Sequence, residues 1–185
     1  MSRRFIGVLL CAACLALGAT IYASDPDDPA GGSRVDSRYT TLWLDPAVSL
    51  DQVNRRISVW WIRPQVKVSK EATLEDQLGA KCDTIFRRVE EVLDMYPPGI
   101  HVTIRVLRNK SQLESVHEGQ YGFGTDAIAF YLFETNTVYV GIGDLSEDVL
   151  AHEMAHAIID HYFGVRPPRK VEEMLAMYAD EHLRD

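Results

Sequence analysis

Cysteine is scarce: three in 185 residues, at Cys11, Cys14 and Cys82. The first two fall in an uncharged N-terminal stretch that reads as an export leader, so a mature chain keeps Cys82 alone. No intramolecular disulfide can then brace the fold, which must stand on its core and on any metal it holds. Positive charge is also short. Nineteen Lys and Arg face 27 Asp and Glu, a net charge of −8. Without the first 23 residues, which carry Arg3 and Arg4, the balance is 17 against 27, or −10. An acidic chain is a poor partner for nucleic acid or an anionic membrane surface. What is present is core material. A hydrophobic content of 46% with 25% charge describes a globular chain of one domain's length and excludes a disordered one.

Ser2-Arg3-Arg4 gives a basic start, and Phe5 to Ala23 follows without a charge, with small residues gathered near its end. This predicts a signal peptide cleaved near Ala23 or Ser24. The run is also about long enough to cross a bilayer, so an uncleaved anchor stands as an alternative, with a lipoprotein signal cut before Cys14 as a third reading. Each puts the domain outside the cytoplasm, periplasmic or secreted, with residues 5–23 as a membrane tether in the case of the anchor. Residues 24–40 are rich in Pro, Gly, Ser and Asp and read as a flexible linker, which leaves 41–185 as the domain.

Within the domain, Thr41–Leu44 reads as a short strand, and Ser49 can cap a short helix through about Ile57. Val59-Trp60-Trp61-Ile62 reads as an apolar strand ended by Pro64. Thr73, with Asp76 three residues on, opens a long helix whose apolar stripe runs Leu74, Leu78, Cys82, Ile85, Phe86, Val89, Leu93. Cys82 lies on that stripe and reads as core. Ile100–Leu107 alternates as a half-buried strand. A short helix over 111–117 and a glycine-interrupted aromatic loop over 118–124 follow. Ala127–Phe133 and Thr137–Val140 then form a hairpin turning at Thr135-Asn136. Asp144 or Ser146 can cap the next helix, which runs to Phe163 and a left-handed Gly164. Pro168 opens a last helix to about Leu183. The expected fold is α+β. A small, mostly antiparallel sheet is backed by the first long helix and covered by the next, and the C-terminal helix closes the site.

Chemistry concentrates in Asp148–Asp160, which contains His152-Glu153-Met154-Ala155-His156, an H-E-x-x-H pattern. On a helix, residues four apart leave the same face, so both imidazoles can bind one metal ion, normally zinc. Glu153 can then serve as general base toward a water on the open side. The helix is otherwise apolar, and burying two imidazoles and a carboxylate without partners is costly. A metal supplies the partner.

Sheet, H-E-x-x-H helix, turn and glutamate-bearing helix together resemble the gluzincin-type zinc metallopeptidases, in a small single-domain form. Val171-Glu172-Glu173-Met174-Leu175-Ala176-Met177-Tyr178 is similar to that family's N-E-G-L-A-E-Y helix. The resemblance covers roughly Ala127 to Ala179 and is specific over the two helices. It implies a zincin-like fold, one Zn2+ held by His152, His156 and Glu173, Glu153 as catalytic base, and a peptide or protein substrate. Glu172 falls on the family's Asn and remains a chemically equal rival for the metal. Met177 stands where the family often has an acidic residue, so a usual partner for a ligand imidazole is missing. Asp148, Asp160 and Asp180 are the carboxylates that could replace it. His161 lies about 140° around the helix from His156, and the metzincin positions hold Ile159 and Tyr162, so neither pattern adds a ligand. His161, Tyr162 and Tyr178 stay open as oxyanion stabilisers. The expected function is exported, zinc-dependent hydrolysis of peptide bonds. The alternatives are a non-catalytic zinc domain acting as a scaffold and an anchored protein whose histidines bind nothing.

Overall fold

A computed structural model describes residues 31–61 and 72–185. The leader or anchor, most of the linker, and Ile62 and Pro64 lie outside the described residues. The elements run β1 (Ser33–Asp36), β2 (Thr40–Leu44), α1 (Leu50–Arg56), α2 (Leu74–Leu93), β3 (Val102–Leu107) and α3 (Lys110–Tyr121). They continue with β4 (Ala129–Leu132), a 3-10 turn over Phe133–Thr135, β5 (Thr137–Gly141), α4 (Glu147–Tyr162) and α5 (Arg169–Glu181).

The fold is α+β, but the sheet is mixed rather than mostly antiparallel. Its order is β1-β2-β3-β5-β4. The outer pairs, β1/β2 and β4/β5, are antiparallel, whereas β2/β3 and β3/β5 are parallel. The reason lies in the connections. The chain leaves β2 and returns to β3 through α1 and α2, and a crossover of that length carries it back to the end where β2 began. Pairing direction of this kind is absent from a strand's own periodicity.

Alternation on β3 divides the sheet's faces. Val102, Ile104 and Val106 join Leu42, Leu44, Val138 and Val140 in one core with the apolar stripes of α2 and α4. Leu107, Leu132 and Tyr139 meet Leu113 of α3 on the other face. On α2 the capping box between Thr73 and Asp76 forms, and Leu78, Cys82, Ile85, Phe86 and Val89 are buried as their spacing predicts. Burial pushes the Cys82 thiol up to about 12, so it stays protonated and acts as packing.

Four local expectations are corrected. Residues 33–40, assigned by composition to the linker, form β1 and the turn into β2. Asp83 of α2 accepts from the backbone N–H of Arg38 and Tyr39 and from the Ser37 hydroxyl, which fastens this polar turn to the core. Val59, Trp60 and Trp61 belong to no strand. The Trp61 indole donates to the Ser58 carbonyl within a local turn, and Trp60 is exposed. Gly164 does not take a left-handed conformation. Instead, α4 ends at Phe163 in extended backbone, whose N–H still reaches Ile159. The glycine-rich loop is also shorter than its composition indicates, because α3 runs to Tyr121 and Gly122 provides the left-handed cap.

Candidate metal centre

Helix α4 begins where Ser146 accepts from the Val149 N–H, with Glu147 and Asp148 in its first turn, where the helix dipole favours acids. Arg184 pairs with both of these carboxylates. Apolar residues bury nearly the whole circumference of α4. His152 and His156 lie one turn apart on the side that meets α5. Their rings lie 5.0 Å apart at 74°.

Helix α5 packs on α4 through small residues, Ala176 and Ala179. This brings Glu173 over the histidines. Its Oε2 stands 3.6 Å from His152 Nε2 and 3.8 Å from His156 Nε2. His152, His156 and Glu173 are a group that can hold a metal ion, with one donor atom from each lying within 4.8 Å of the others. Ligands bonded at about 2.0–2.1 Å to a tetrahedral ion of zinc's size stand about 3.3–3.5 Å apart. Glu173 therefore already stands close to ligand spacing from each imidazole. Two imidazoles and a carboxylate form a set that several transition metals accept. The rival Glu172 is turned away. It is buried and gives its carboxylate to Arg166 at 2.7 Å, whereas the Glu173 side chain is 42% exposed.

Asp180 supplies the partner that Met177 does not. Its Oδ2 lies 2.8 Å from His152 Nδ1, which leaves Nε2 to face Glu173. Asp180 sits three residues beyond Met177, nearly one turn further along the same helix, and so performs the role from a different position. Asp148 is engaged by Arg184 and Asp160 by Arg166, so neither serves an imidazole. We expect Asp180→Asn to weaken metal affinity about 10–100-fold, read by competition with a chromophoric chelator. Unchanged affinity would remove Asp180 from the centre.

No family model, curated protein or solved structure matches this chain. The geometry must therefore carry the functional reading.

Glu153 is buried on α4 and accepts a backbone hydrogen bond from Tyr131 of β4. Sequence reasoning missed this contact, since Tyr131 carries no motif and acts through its main chain. Among the described residues, strand β4 pairs only with β5 and forms an edge of the sheet, and α4 packs beside it. The three sequence candidates for stabilising an oxyanion make local contacts. His161 Nδ1 bonds the Ala157 carbonyl, Tyr178 stacks on His182, and Tyr162 lies edge-on to Phe163. His117, which showed no role in the sequence, is buried among Tyr121, Phe123 and Phe130. A cavity of about 370 Å³ lies on the α3 side of the sheet, lined by Trp43, Arg105 and Tyr139 among others. It shares no residue with the metal group.

Burial, and then the charge of Glu173, raises the Glu153 carboxyl from 4.5 to about 8 against the opposing Tyr131 hydrogen bond. Burial, and then His152, pushes His156 well below its ordinary value, so it stays a neutral, metal-competent imidazole. Both shifts affect the stability of the metal-free chain. The raised Glu153 value favours the fold fully at low pH and loses that contribution as pH rises toward about 8. The lowered His156 value works the other way, but only below its unfolded value of 6.5. Between these limits Glu153 acts without that opposition. Metal-free protein should therefore be less stable at pH 8 than at pH 6.5 by on the order of 2 kcal/mol. Urea unfolding of wild type and Glu153→Gln tests this. An equal loss in both would refute the assignment.

Proposed function

We propose that the chain is an exported zinc peptidase of the gluzincin type, which hydrolyses peptide bonds. The observation that carries this reading is the convergence of His152 and His156 from α4 with Glu173 from α5. Glu153 lies beside them on α4, and the edge strand β4 packs against the same helix. His152, His156 and Glu173 would hold the ion, with Asp180 fixing the His152 ring. When bound, zinc lowers the pKa of water and polarises a carbonyl.

Glu153 takes the proton of the attacking water and returns it to the leaving amine. Its place beside the ligands suits this work, because a cation held by His152, His156 and Glu173 would favour the carboxylate form that accepts the proton. An extended substrate adds to the β4 edge by main-chain pairing, which aligns the scissile bond along α4. Met177, one turn after Glu173 and half-exposed, is presented to substrate side chains at the same face. Export through residues 5–23 would place the activity outside the cytoplasm.

The test is to purify the full chain, measure bound metal by mass spectrometry, and assay a mixed peptide library before and after chelation. About one zinc per chain and chelator-sensitive cleavage are expected. Absence of stoichiometric metal sinks the proposal. Stoichiometric zinc with no cleavage would favour the non-catalytic scaffold.

A further inference from the structure

We infer that Arg166 is the residue that positions Glu173, and so determines which of two adjacent glutamates meets the metal. The inference rests on the metal reading above. Arg166 lies in the turn between α4 and α5, and its Nε sits 2.7 Å from Glu172 Oε1 and 3.0 Å from Asp160 Oδ1. The contact with Glu172 is a directed hydrogen bond, while that with Asp160 is a charge contact without hydrogen-bond alignment. The Asp160 and Glu172 side chains are almost wholly buried, at 1% and 5% exposure, so Arg166 is the cation that makes their burial tolerable. The guanidinium also lies over the Phe133 ring at 5.3 Å, in the turn that follows the edge strand. One side chain thus joins the end of α4, the first turn of α5 and the turn after β4.

Helical geometry explains why this bears on the metal. Glu172 and Glu173 are about 100° apart around α5, so a rotation of that size exchanges them. The fully buried residues of α5 on its apolar side are small, Ala176 and Ala179, while Leu175 is only partly buried and the large buried side chain, Leu183, lies beyond the helix end. Polar contacts at the N-terminal half therefore help to fix the phase. Arg166 holds Glu172 at the N-terminal end, and Asp180 on His152 holds the other end. With Glu172 captured, Glu173 is left facing His152 and His156. Without Arg166, two buried carboxylates confront each other, and the first turn of α5 loses its anchor.

The test compares zinc affinity in wild type, Arg166→Gln and Arg166→Lys, using zinc alone against a competing chelator. The melting temperature of each metal-free protein is measured alongside. Arg166→Gln should weaken zinc binding at least about tenfold among folded molecules, as loss of a supporting contact does. Arg166→Lys should recover only part of this, because an ammonium keeps the charge and loses the planar fork. A merely structural Arg166 would lower the melting temperature and leave the affinity of folded molecules alone. Affinity within about twofold of wild type in folded Arg166→Gln overturns the inference, whatever its melting temperature. Should that variant not fold, Arg166→Lys decides, with at least about threefold weakening expected and none overturning it. A wild-type chain that takes up no zinc overturns both readings, so the two failures are told apart.

Discussion

Glu153→Gln is expected to lower peptide hydrolysis by about 10²–10⁴-fold while leaving metal uptake intact. Glutamine has nearly the same shape and can still accept from the Tyr131 N–H, so α4 and its edge-strand contact should survive. The carboxamide cannot take a proton, however, and the base step fails. Burial sharpens the contrast. Glu153 is only 8% exposed, so no bulk water can substitute for it at that position. The measurement is steady-state cleavage of a library-derived peptide at matched zinc content. A variant that cleaves like wild type while fully loaded would refute Glu153 as the base and leave the metal site standing.

The second large effect concerns the third ligand. Glu173→Gln should weaken metal affinity by more than about 100-fold, since it replaces an anionic donor with a neutral, weakly ligating amide rather than altering a partner of a donor. Glu172→Gln should cost less than about tenfold, because the amide oxygen still accepts from Arg166 and the metal donors are untouched. The two variants are one residue apart and chemically identical, so their ratio measures the phase of α5 directly. Zinc affinity by chelator competition reads both. If Glu172→Gln proved the more damaging, the register of α5 on α4 would be wrong, and the inference about Arg166 would fall with it.

Much of this arrangement was legible before the fold. His152, Glu153 and His156 sit on one helix, and four-residue spacing is a local property that survives any tertiary packing. The caps at Ser49, Thr73 and Ser146 were legible for the same reason, each being a side chain bonded to backbone within three residues. The stripe on α2 also showed in the sequence, because burial imposes the helical period. Other features failed in proportion to their dependence on distant partners. Residues 33–36 look like linker by composition, and only pairing with β2 and the Asp83 anchor makes them a strand. Val59–Trp61 look like a strand by composition, but no described strand lies beside them. Parallel pairing in the sheet follows from two crossovers, whose geometry no strand encodes.

The metal centre divides along the same line. Local spacing was enough to nominate two imidazoles, a base and a glutamate helix, because each depends on contacts within a turn or two of its own chain. Choosing Glu173 over Glu172, finding Asp180 behind His152 in place of an acid at position 177, and setting Tyr131 against Glu153 all required the packed fold. Each of those contacts joins segments more than 20 residues apart, or turns on a rotation of α5 that residues outside that helix hold in place.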